Sequence, residues 1–165
     1  MVNKFLIAIV AIVAAMIALV VMPGIGSQPT AQQELNIEYS RLNLNRIEDS
    51  RFVAAGAEDL VIKNDRYAVY RNLTGPPDEK TFTISNEEMN GLKDLIITTG
   101  FMQVPATDYP QKDGLANLTK YTLKLESGGN SKSITWVNLE ASEVSVPSIV
   151  RNIGTQLDHV IERHV

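Results

Sequence analysis

The sequence predicts an α+β protein: an N-terminal single transmembrane helix, then an antiparallel sheet of about five to six strands with two helices packed on one face. Three observations predict it. The run Phe5–Met22, FLIAIVAIVAAMIALVVM, holds no polar or charged side chain. Period-two alternation of apolar and polar residues recurs between turn-forming clusters, as in strands joined by hairpins. Two further segments carry apolar residues at helical spacing, each behind a start signal.

At ~1.5 Å per residue, Phe5–Met22 makes a helix roughly 27 Å long, close to the thickness of a bilayer core. Backbone amides in lipid must pair internally, which a helix achieves. The run is longer than the apolar region of a typical secretory signal, and the best cleavage candidate is Gly24-Ile25-Gly26 before Ser27. An uncleaved anchor is the expectation; a cleaved signal and a buried helix of a soluble protein are the alternatives. Lys4 precedes the run and the next basic residue is Arg41. The positive-inside rule then places the N-terminus in the cytoplasm and the rest outside. Cleaved or kept, the segment makes the domain extracytoplasmic, and the membrane is the first expected partner. Residues 1–22 are thus the anchor or uncleaved signal and 23–35 a tether. Residues 36–165 are the extracytoplasmic α+β domain. The tether, PGIGSQPTAQQEL, combines Pro, Gly and small polar residues without periodicity.

From Asn36 the pattern becomes that of strands. Ile37 and Tyr39 alternate with Glu38 and Ser40, and the run extends toward Leu44. Glu48–Gly56 reads as a connection. Leu60-Val61-Ile62 and Tyr67–Tyr70 flank Lys63-Asn64-Asp65-Arg66, where Asn and Asp tolerate the left-handed backbone of a hairpin turn. After the loop Thr74–Asp78, a short strand is expected over Lys80–Ile84. Ser85 and Glu88 form a capping box, and Met89, Leu92 and Ile96 follow at helical spacing up to Gly100, a left-handed stop. A helix is therefore expected over 86–99. Phe101–Ala116, with Pro105, Pro110 and Gly114, is a long loop. Leu118–Leu125 and Ser133–Asn138 alternate on either side of Ser127-Gly128-Gly129-Asn130 and make a second hairpin. Pro147 opens a final helix with Ile149, Val150, Ile153, Leu157, Val160 and Ile161 on one stripe. Gly154 lies within it at a cost of about 1 kcal/mol, which suggests close packing at that point.

Composition narrows function by exclusion. The chain has 15 basic and 19 acidic residues, a net charge of −4, which argues against nucleic acid as a partner. It has no cysteine, so disulfides, thiolate metal sites and a lipobox-type anchor are ruled out. Its two histidines, His159 and His164, lie five apart on the last helix and do not share a face. His159 and Glu162 sit one turn apart, as a surface pair would. Carboxylates come in the adjacent pairs Glu48-Asp49, Glu58-Asp59, Asp78-Glu79 and Glu87-Glu88; neighbours on a strand point to opposite faces, and Glu87-Glu88 complement a helix dipole. No nucleophile elbow, phosphate loop, dinucleotide fingerprint or calcium loop occurs. An enzyme is not expected, and neither a cofactor nor a metal is implied.

Four residues stand out as candidate sites. Trp136, the only Trp, is a candidate partner contact as well as a core residue. Tyr109, in the long loop, is a second candidate contact. Asn72 and Asn117 head the sequons Asn72-Leu73-Thr74 and Asn117-Leu118-Thr119, candidate glycosylation sites outside the cytoplasm.

The second half carries a resemblance. Residues 81–103, TFTISNEEMNGLKDLIITTGFMQ, run from strand to Ser-x-x-Glu cap, helix with paired Leu, and Gly-Phe. Asp113, Tyr121-Thr-Leu-Lys-Leu, Gly128-Gly129, Ile134-Thr-Trp136, Pro147 and a closing apolar helix follow. From about residue 60 to 161 this resembles the emfourin-like small α+β domains, whose namesake is a proteinaceous inhibitor of thermolysin-like metalloproteases. The family's early Gly-rich segment is matched only by Ala54-Ala55-Gly56. The resemblance implies the fold and a protease-inhibitor-like mode, with no inhibitory residue carried across. The functional expectation is a membrane-anchored, extracytoplasmic, non-catalytic binding module whose partner is another protein. The alternative is an accessory subunit of a larger membrane protein complex, packed through Ala8, Ala11, Ala14, Ala15 and Ala18 of the apolar helix.

Overall fold

A computed structural model describes residues 34–47, 51–76 and 78–165. The chain forms β1 (Leu35–Arg46), β2 (Phe52–Ile62), β3 (Tyr67–Asn72), β4 (Asp78–Thr83), α1 (Asn86–Thr98), β5 (Asn117–Ser127), β6 (Asn130–Val137) and α2 (Ser148–His164). The six strands make one sheet in the order β4-β3-β2-β1-β5-β6, with every neighbouring pair antiparallel. The chain builds outward from β1 to the β4 edge. It crosses through α1, re-enters beside β1 as β5, and ends with α2.

Register converts the alternation of each strand into rows across the inner face. One row is Phe82, Ala68, Ile62, Ile37 and Leu125; the next holds Tyr70, Leu60, Tyr39, Leu123 and Ile134. Met89, Leu92 and Ile96 of α1 and Val150, Ile153, Leu157, Val160 and Ile161 of α2 bury against these rows in one core. Both helices therefore cover the same face, as their single stripes require. On the other face Lys124 bridges Glu38 and Glu126, and Arg71 pairs with Glu79. A small second core lies on that side, where Leu118, Val137 and Ala141 gather Leu44, Phe52 and Leu115.

The expected fold class is corrected in one respect. No helix among the described residues is long and apolar enough to cross a membrane. α1 has 13 residues and α2 has 17, and each gives one side to the core and the other to solvent. The run Phe5–Met22, on which the transmembrane expectation rested, lies outside the described residues. What the described chain supports is a six-stranded antiparallel sheet with two helices.

Three local expectations also change. Phe52–Gly56 is not a connection but the first half of β2, paired to the far half of β1. A bulge between Asn43 and Leu44 shifts the register there, which breaks the period-two pattern and hides the strand in small residues. In the β2–β3 turn the left-handed residue is Arg66 (φ 72°), not Asn64 or Asp65. Asp65 instead accepts the Tyr67 N–H, and Asn64 accepts from the Leu35 N–H and the Lys93 ammonium. β4 starts at Asp78, earlier than Lys80. The long loop begins with a 3₁₀ turn, Phe101–Gln103, and then runs along the outer edge of β6. The Tyr109 N–H donates to the Thr135 carbonyl and the Thr135 N–H to the Thr107 carbonyl, so this edge is covered.

Candidate functional site

The third row of the inner face differs from the first two. It reads Asp78, Asn72, Glu58, Arg41, Tyr121 and Trp136 from one edge to the other. Toward β4 it is charged and amide-bearing; toward β6 it is aromatic. A row of this kind cannot be sealed by an apolar helix stripe. α2 crosses its aromatic half, and a cleft of about 480 Å³ remains between the sheet, α2 and the Val137–Glu140 segment.

The floor is an aromatic cluster. The Tyr121 and Trp136 rings stack with centroids 5.3 Å apart and planes 12° from parallel, and Tyr39 stacks on both at 6.3 Å. α2 approaches the cluster at Gly154. A Cβ there would lie 3.0 Å from Trp136 Cζ2, so the absence of a side chain is what permits the crossing. The helix-weakening glycine noticed in the sequence thus has its packing reason.

The wall beside the rings is charged. Tyr39 donates its hydroxyl to Asp158 Oδ1 at 2.9 Å, and Arg41 Nη1 donates to the same oxygen at 3.1 Å. Arg41 also donates Nε to Glu58 Oε2 at 3.1 Å and pairs with that oxygen through Nη2. Burial pushes the Asp158 carboxyl above its ordinary range; the Tyr39 hydrogen bond and Arg41 pull it down, while Glu162 and Glu58 push it up. Burial, followed by the charge of Asp158, drives the Tyr39 phenol far above its ordinary value, so it stays protonated and acts as a donor. Burial alone would lower Arg41, but the bond to Glu58 and the charges of Asp158 and Glu58 outweigh it and hold the guanidinium charged. Burial likewise raises Tyr121.

The one hydroxyl bonded to a carboxylate among the described residues of the cleft is the Tyr39 phenol on Asp158, and burial with that charge keeps it protonated. Among the described residues that line it, the polar groups are amides, a threonine hydroxyl, two carboxylates, an arginine and donor phenols. No group of three or more acidic or histidine side chains suited to a metal occurs among the described residues. A second hollow, of about 720 Å³, lies between α1 and α2. Its floor residues Leu92 and Val160 are buried, and its polar rim includes Gln156, His159 and the Glu88–Arg163 ion pair at 3.2 Å.

The candidate residues scatter. Trp136 is only 4% exposed yet forms part of the cleft floor, so it is at once a core residue and a lining residue. Tyr109 is buried and anchors the long loop on β6, away from the cleft lining. Asn72 ends β3 half-buried, and its Oδ1 accepts the Thr74 N–H in a local turn. Asn117 starts β5, exposed, opposite Asn45. His159 and Glu162 do pair, at 3.1 Å on the surface. Sequence reasoning missed Arg41, Glu58, Tyr121 and Asp158 as a site. Alternation signals which way Tyr39 and Tyr121 point, but only register sets them beside Trp136. No protein-family model matches the chain, and no curated protein matches it.

Proposed function

We propose that the Glu34–Val165 domain is a non-catalytic binding module that takes a protein partner at the Trp136 cleft. The observation that carries this reading is the combination of a stacked aromatic floor, a carboxylate wall and an open mouth in one place. Aromatic rings and arginine partners are what protein-binding hot spots concentrate. The rim adds Leu139, a large apolar side chain 54% exposed, next to the cleft. The resemblance of residues 60–161 to emfourin-type domains favours a protein as the partner class and puts a thermolysin-like metalloprotease among the first to try. The uncharged apolar run at the N-terminus fits a domain that works outside the cytoplasm.

The test is capture by the full chain from an envelope extract of its own cell, beside the variant Thr155→Trp. Thr155 is exposed on α2 and lines the cleft, so a large side chain there fills the space without entering the core. A partner retained by the wild type and lost by the filled variant supports the reading. A partner held equally by both overturns the cleft as the site.

A further inference from the structure

The charges around the cleft say what kind of group it would hold, on the reading just given. Glu140 and Asp158 line it against one cation, Arg151. Behind Asp158 lie Glu58 and Glu162, both near enough to oppose its ionisation, with Arg41 as the counter-charge. His159, next to Asp158 in sequence on α2, faces Glu162 rather than the cleft. At the rim the Lys112 ammonium also donates to the Glu140 carbonyl at 3.1 Å, so the carboxylates Glu140, Asp158, Glu58 and Glu162 exceed the cations Arg151, Arg41 and Lys112 by one.

Asp158 also has capacity to spare. A carboxylate offers about four acceptor positions on its two oxygens. Tyr39 and Arg41 both use Oδ1, and the side chain is 28% exposed where it lines the cleft. An incoming donor can reach the carboxylate while its flat face or stem lies on the Tyr121 and Trp136 rings. A guanidinium suits both demands, because it is planar, stacks on aromatic faces and forks onto carboxylates. The chain makes the carboxylate half of this contact itself: Arg41 bonds Glu58 and Asp158, opposite Tyr121 in the sheet register.

We infer that the cleft receives an arginine side chain of the partner protein, held by the Asp158 carboxylate against Tyr121 and Trp136, with Glu140 drawing it in at the rim. Arg151 at the mouth disfavours a second basic residue close by, so an isolated arginine is selected over a basic cluster.

Trp136 is the sole tryptophan, so its emission reports occupancy of the cleft directly. The full chain is titrated with acetyl-Gly-Arg-Gly-amide and with the citrulline peptide, which keeps the shape and loses the charge. The arginine peptide is expected to change Trp136 emission saturably, and the citrulline peptide to need about tenfold more, as loss of one charge-assisted contact implies. Asp158→Asn keeps an acceptor for Tyr39 and is expected to weaken the arginine peptide by a similar factor. Glu140→Gln, at an exposed position that does not bear on folding, is expected to weaken it by about threefold. Equal half-saturation for the two peptides overturns the charge recognition and leaves the cleft as a binding site. An arginine response untouched in both variants overturns the assigned anchors. Silence toward both peptides overturns this inference, while the cleft reading stands or falls separately on the Thr155→Trp capture.

Discussion

Two carboxylates tie helices to the rest of this domain, and their surroundings treat them in opposite ways. Glu88, at the start of α1, accepts the Ser85 N–H at 2.9 Å and an Arg163 Nη1–H from the end of α2 at 3.2 Å. His164 lies 3.3 Å from the same carboxylate and stacks on Phe82. The backbone hydrogen bond at the cap, with help from the Ser85 and His164 side chains, holds Glu88 below its ordinary value. Asp158, in the middle of α2, has a phenol and a guanidinium as donors and yet is raised, because burial and two nearby carboxylates outweigh them. The first carboxylate is placed where its charge is welcome. The second is kept where its charge is costly, and it faces a cleft. Carboxylates perturbed in this way are common at sites that bind, and Asp158 keeps room for a donor beyond Arg41.

The comparison can be broken most forcefully from the cleft side. Trp136→Ala removes a nearly buried ring that stacks on two tyrosines and carries α2, and should cost about 3–5 kcal/mol in denaturant unfolding. Gly154→Val places a branched side chain against that ring and should destabilise by about 1–3 kcal/mol through overpacking, despite the better helix propensity of valine. At the cap the effects are smaller. Ser85→Ala deletes one side of the capping box and should cost about 1 kcal/mol.

The sharpest form of the comparison is a pair of pH profiles of melting temperature. The stabilising share of Glu88 is present above its unfolded value of 4.5 and is lost as pH falls through its lower folded value. Glu88→Gln should therefore be less stable than wild type near neutrality and converge with it in acid. For Asp158 the sign reverses. Its folded value is raised, so the favourable contribution is present below the unfolded value of 3.8 and is lost as pH rises through the folded one. Asp158→Asn should gain on wild type as pH rises over that window. Parallel profiles for the two variants would show that the two sites do not differ as described.

Much of the fold was legible because the signals were local. The capping box at Ser85 and Glu88, the Gly100 stop at φ 74° and the Gly128-Gly129 turn each depend on a few consecutive residues. The stripe of α2 is legible nearly residue for residue, and the helix-weakening Gly154 by itself signals a close contact, which Trp136 makes. Phe52–Gly56 was misread because a bulge removes alternation where the side chains are small. Arg66 was not seen in the left-handed conformation because the turn hydrogen bonds, not side-chain preference, set it there.

The site was hardly legible at all. Arg41, Glu58, Tyr121, Trp136 and Asp158 are spread over most of the domain, and no spacing joins them. By itself the sequence determined most of the strands, both described helices and the face each helix buries, because these follow from neighbours along the backbone. Only the tertiary structure decided that a charged half-row and an aromatic half-row lie end to end under α2, because antiparallel register and the one helix position without a Cβ bring them together.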